Sequence, residues 1–194
     1  MESVIKPLSN FNTSNVTTMR SMFNNCTNLE TLNVNNFNTN KVESMRGMFG
    51  VCESLIKLDV SSFNTMQVTD MEYMFNTCSS LETLILGENF NKINGAYMFV
   101  AADNLTRIIS LRSATTAADI MIPSGDNGIG QLETRVLYVP NVTTEGLYEA
   151  NEIYASLLGA NRIKPIMEMN GDNPVAVVLG NVYEDAGVTV ANWD

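Results

Sequence analysis

The chain has 194 residues, 45% of them hydrophobic, and 21 acidic against 11 basic side chains give a formal net charge of −10. A packed core is expected, and the acidity speaks against a nucleic-acid-binding face, which must neutralise phosphate, and against docking on anionic lipid. Histidine is absent, which removes the commonest general base, the commonest metal ligand and every Ser/His or Cys/His nucleophile pair.

The opening MESVIKPLSN has no apolar h-region, and no later stretch approaches the roughly 18 apolar residues of a membrane span. Direct membrane insertion is therefore not expected. Met1–Leu8 reads as half of a strand unit.

From Phe11 onward the chain repeats. Phe11, Phe37 and Phe63 lie 26 residues apart, and Val16/Val42/Val68, Met19/Met45/Met71, Met22/Met48/Met74, Phe23/Phe49/Phe75 and Cys26/Cys52/Cys78 keep the same step. A fixed period of 20–50 residues marks stacked repeat units. Within a unit, Leu29, Leu32, Val34 and Phe37 follow the alternation of a short strand. Val42, Met45, Met48, Phe49 and Cys52 follow steps of three and four, which predict a helical turn started by Thr17, Ser44 or Thr69 in the successive units. Neither element buries its apolar face alone, but stacking does it for both. The Asn-rich links Phe11–Thr13, Phe37–Thr39 and Phe63–Thr65 turn the chain between the two sides. The cysteines, odd in number and equivalent by repeat, read as a buried ladder of free thiols. The methionines read as core fillers rather than soft-metal ligands. No metal or cofactor is expected.

The motif L-x-x-L-x-V-x-x-F-N-T-x-x-V-x-x-M-x-x-M-F-x-x-C resembles the repeat of BspA-like leucine-rich repeat surface proteins from Leu8 to about Leu86. A degraded fourth copy keeps Phe90, Ile93, Met98, Phe99, Leu105 and Ile108, with Ala102 in place of the cysteine. The resemblance implies an α/β leucine-rich-repeat solenoid over residues 1–111, with a parallel sheet on one side and short helical turns on the other.

Residues 112–164 leave the pattern and read as a capping region. SATTAAD and IPSGDNGIG are loop-like; Asp126 and Asn127 offer too few oxygens for calcium, so a plain turn is expected there. Arg135–Val139 reads as a strand ended by Pro140, and Thr144–Leu158 as one helix with Leu147, Ile153, Leu157 and Leu158 on its apolar side. In the resembling family such a strand and helix close the array. From Pro165 to Asp194, Asn170, Gly171, Asn173, Pro174, Val175, Gly180, Tyr183, Asp185, Gly187 and Val188 resemble the opening of a bacterial Ig-like domain. The whole sandwich needs about 100 residues, so the C-terminal β fragment reads as cut short.

Outward strand positions of such a stack form its concave face: Thr31, Asn33 and Asn35, then Lys57, Asp59 and Ser61, then Thr83 and Ile85, then Arg107. The expected function is a non-catalytic cell-surface or secreted adhesion module that presents this face to a protein or glycan on a host or neighbouring cell. The alternative is a structural spacer that displays another domain. An enzyme is not expected, because the repeat carboxylates do not form one cluster: Glu30 and Glu82 share a phase two units apart and Asp59 lies in another.

Overall fold

The computed structural model describes residues 8–91, 93–119, 123–124, 128–129, 134–158, 162–169 and 188–190. Its strands in chain order are β1 (Lys57–Val60), β2 (Thr83–Leu86), β3 (Ile93–Asn94), β4 (Arg107–Ser110), β5 (Pro123–Ser124), β6 (Val136–Val139), β7 (Ile163–Pro165), β8 (Met167–Met169) and β9 (Val188–Val190). Helices α1 (Val142–Glu149) and α2 (Glu152–Leu157) lie between β6 and β7. Five strands form one parallel sheet in the order β1-β2-β4-β6-β7. The long connection between successive strands is what lets them run parallel. Leu58, Leu84, Ile108, Leu137 and Ile163 share one register row, and all five are 0–1% exposed. The unit before β1 joins this ladder as a single bridge between Asn33 and Asp59, with Ile56 N donating to Glu30 O at 3.5 Å beside it.

The other side of each unit is not a helix. The three-and-four spacing comes instead from consecutive tight turns, each closed by a bond from residue i to residue i−3. Examples are Met48 N to Met45 O, Gly50 N to Gly47 O and Cys52 N to Phe49 O, at 3.0–3.3 Å. Between these, alternate amides reach the next unit: Met45, Gly47, Phe49 and Val51 donate to Asp70, Glu72, Met74 and Asn76. A helix directs its amides along its own axis, whereas here half of them leave the unit. The geometry requires two left-handed residues per unit. They are Ser21 and Asn25, Gly47 and Val51, Tyr73 and Thr77, and Tyr97 and Ala101, at φ +55 to +63°. Each turn starts at Thr18, Ser44 or Asp70, whose side-chain oxygen accepts the amide two residues on. Ser44 thus has its expected place, but Thr17 and Thr69 are one residue early.

The corner threonines Thr13, Thr39 and Thr65 are buried. Thr39 Oγ1 accepts from Asn64 N at 2.8 Å and donates to Asn64 O at 3.0 Å, and Thr13 does the same with Asn38. The asparagines of the link act locally: Asn38 Oδ1 accepts from Asn40 N, as an Asx turn requires.

Inside, Phe23, Phe49, Phe75 and Phe99 form a column with ring centroids 5.6–5.7 Å apart. Phe37, Phe63 and Phe90 are buried beside it, whereas Phe11, expected in the same ladder, is 53% exposed. The three cysteines are free. The thiols of Cys52 and Cys78 each donate to a carbonyl of the preceding unit, Phe23 O and Phe49 O, at 3.1 Å. At Gly87 no side chain fits, because a Cβ would fall 1.8 Å from Ser61 O.

The stacking continues past residue 111. β5 pairs parallel with β3, and Gly128, at φ +79°, leaves only 2.9 Å between a would-be Cβ and Val100 N. Arg135 is 1% exposed. Its guanidinium donates to the carbonyls of Ala102, Leu105, Gly128 and Ile129 at 2.7–3.1 Å and lies 5.8 Å from the Phe99 ring centroid. It therefore ends the aromatic column where another phenylalanine would stand. β6 is not the closing strand, since β7 pairs along its outer edge, and Pro165 belongs to that strand. The expected single helix is two. Asn141 caps α1 by accepting from Thr144 N, the chain breaks at Ala150–Asn151, and Asn151 Oδ1 accepts from Tyr154 N. Buried Tyr148 and Tyr154 meet edge to face at 4.8 Å across the break. β8 and β9 pair antiparallel. Asp126, Asn127, Asn161 and most of the Ig-like stretch lie outside the described residues.

Candidate functional site

The parallel register decides which outward side chains become neighbours. Lys57, Thr83 and Arg107 fall in one row, which runs on to Val136. Asn33, Asp59 and Ile85 fall in a second, which runs on through Ile109 and Tyr138 to Lys164. Thr31, Asn33, Asn35 and Lys57 are exposed, while Asp59, Ser61 and Arg107 are half-buried.

Thr83 and Ile85 are only 5% and 6% exposed, so they are not the free surface expected of them. The cause is their place on β2, which has a strand on either side, with Ile109 alongside Ile85. Asn33 and Asp59 also have local work. Their side-chain oxygens accept from Asn35 N and Ser61 N at 3.0 and 2.8 Å, which bends the chain out of the strand.

Ile109, Tyr138 and Lys164 were missing from the expected face. Tyr138 was legible in RVLYV, where Leu137 and Val139 take the inward positions. Lys164 was hidden because nothing in the sequence announces β7. With these included, the outward strand positions carry three cations (Lys57, Arg107 and Lys164) and one carboxylate, Asp59. That is a local excess of positive charge on a chain whose formal charge is −10. Half-buried Tyr138 stands beside Lys164 in the second row, whereas Ile85 and Ile109, 6% and 1% exposed, offer no surface.

Among the described residues no group of three or more Cys, Asp or Glu side chains is placed to hold a metal ion, and no helix is long and apolar enough to cross a membrane. A family model described as "Mycoplasma protein of unknown function, DUF285" matches residues 1–111, more than half of the chain. No curated protein and no solved structure matches.

Proposed function

The chain belongs to the DUF285 family, and on that premise we propose that it is a non-catalytic binding module of the BspA-like leucine-rich-repeat kind, a solenoid that presents the outer face of its sheet to a ligand at a cell surface. The observation that carries this reading is the pair of adjoining rows on the sheet, one holding Lys57 and Arg107 and the other Tyr138 and Lys164. Basic groups held in adjoining rows of one sheet, with a tyrosine beside them, on an acidic molecule suit an acidic protein surface or an anionic glycan. Charge draws the ligand in, and the half-buried Tyr138 ring supplies contact area. Rigid strands hold these side chains with little left to order on binding.

The test is adhesion of the full chain, coupled to beads, to immobilised sulfated and sialylated glycans and to acidic matrix proteins. The triple variant Lys57→Glu/Arg107→Glu/Lys164→Glu is expected to lose at least about tenfold in binding with its melting temperature kept. The wild-type interaction should weaken as salt screens these charges. Unchanged adhesion by the triple variant would count against the sheet face as the site. A wild-type chain that adheres to none of these surfaces would favour the spacer.

A further inference from the structure

The three cysteines stand closer together than helical units would set them. Packed helices lie about 8–10 Å apart, whereas backbones joined by a hydrogen-bond ladder lie about 4.7–4.9 Å apart. Here the residue before each cysteine is bonded into the next unit, Asn25 N to Gly50 O and Val51 N to Asn76 O, both at 2.8 Å. A disulfide needs Cα atoms about 4.4–6.8 Å apart, so the ladder spacing of these units suits one.

The thiols also point along the stack. Phe23 O accepts from Cys26 N at 3.2 Å and from the Cys52 thiol at 3.1 Å. The Cys52 sulfur therefore sits against the backbone of Cys26, whose amide lies within hydrogen-bonding reach of it. Phe49 O receives Cys52 N and the Cys78 thiol in the same way, at 3.3 and 3.1 Å. Each of these thiols thus faces the cysteine of the unit before. Burial sets the first pair apart from the second. Cys26 is half-buried, while Cys52 and Cys78 are buried, so a reagent from solvent meets Cys26 first and the thiol behind it is Cys52.

We propose that Cys26 and Cys52 are a thiol–disulfide exchange site that takes a low-molecular-weight disulfide as oxidant and closes a bond between the first two units. In the first step the Cys26 thiolate attacks one sulfur of the small disulfide. A mixed disulfide forms on Cys26, the small S–S bond breaks, and one small thiol leaves with the proton that Cys26 gave up. In the second step Cys52 gives up its proton and attacks the Cys26 sulfur from within the stack. The Cys26–Cys52 bond forms, the mixed disulfide breaks, and the second small thiol leaves with that proton. Two protein thiols are oxidised and one small disulfide is reduced to two thiols. Burial pushes the Cys52 thiol up to about 11, which makes the second step the slow one. The bond ties two positions one repeat apart and restrains the unfolded chain, so it stabilises the fold. This site does not rest on the reading given to the sheet face.

The experiment incubates the reduced, folded full chain with excess oxidised glutathione at pH 8, quenches in acid, alkylates the remaining thiols and maps the linked peptides by mass spectrometry. The expected course is glutathione on Cys26, then a Cys26–Cys52 link with Cys78 still alkylated, and a melting temperature above that of the reduced chain which dithiothreitol reverses. Cys52→Ala should stop at the mixed disulfide on Cys26. The proposal is overturned if the wild type stays reduced, keeps glutathione on Cys26 without closing the link, or joins Cys52 to Cys78 or Cys26 to another chain instead. It is also overturned if the link forms only in urea, or if the linked chain melts below the reduced one.

Discussion

Cys52 and Cys78 show what the stack does to a single side chain. Burial, followed by the neighbouring thiol of the preceding unit, pushes Cys52 up to about 11 and Cys78 up to about 12 from an ordinary value of 9.0. Below pH 9 both are protonated whether the chain is folded or not, and their contribution is fully present. As pH rises from 9 through the folded values, the unfolded chain sheds these protons first, so stability falls. Cys78→Ala removes its share of that slope. The expected outcome is a smaller alkaline loss of melting temperature between pH 9 and 12 in the variant than in the wild type. Parallel curves would mean that Cys78 is as solvated in the folded chain as in the unfolded one. At pH 8 a thiol reagent should reach Cys26, which is half-buried, before the other two, and should reach those only on unfolding.

The corner between the two ladders is an element in its own right, and its chemistry lies with threonine. Thr39 is 1% exposed, with its hydroxyl bonded both ways to the Asn64 backbone. Thr39→Val keeps the shape and leaves the part-buried Asn64 N–H and C=O without this partner, at a cost of about 1–3 kcal/mol. Thr39→Ser should cost about 1 kcal/mol, which places the two variants in a fixed order in urea unfolding. Equal midpoints would deny the hydroxyl its role. The sequence pointed to this corner through the Asn-rich FNT links, where asparagine, the commoner turn residue, drew the attention that the threonine hydroxyl carries in the structure. The same limit explains the missing helix. Buried positions at steps of three and four fit both a helix and a run of β-turns. The difference lies in where the amides go, and of the eight left-handed residues only Gly47 and Asn25 advertise their conformation. Strands β1, β2 and β6 were legible because alternation of period two has no such double reading, whereas β7 shows no such alternation and the Leu29–Phe37 unit forms a bridge rather than a strand. Exposure on the sheet was not, since Ile85 and Ile109 are neighbours in a register that only the folded chain sets, and both are buried.

At the scale of the whole molecule, each unit touches mainly the units before and after it, so position along the stack governs the cost of a lesion. Phe63 and Phe11 are equivalent in the repeat, yet Phe63 is 0% exposed and Phe11 53%. Phe63 packs on Phe49, at 6.5 Å between centroids, within a core that cannot collapse without disturbing the hydrogen-bond ladders on both sides. Phe63→Ala should therefore leave a cavity and cost about 3–5 kcal/mol. Phe11→Ala removes a ring that is largely in water and should cost under about 1 kcal/mol. Urea denaturation separates the two outcomes, and a coupled loss of cooperativity in Phe63→Ala would show as a reduced m-value if the units on either side begin to melt separately. Similar costs for both variants would mean that the repeat, rather than the place in the stack, sets the energy. The nearest-neighbour description would then fail, and with it the claim that the rows on the sheet face are held by stacked units.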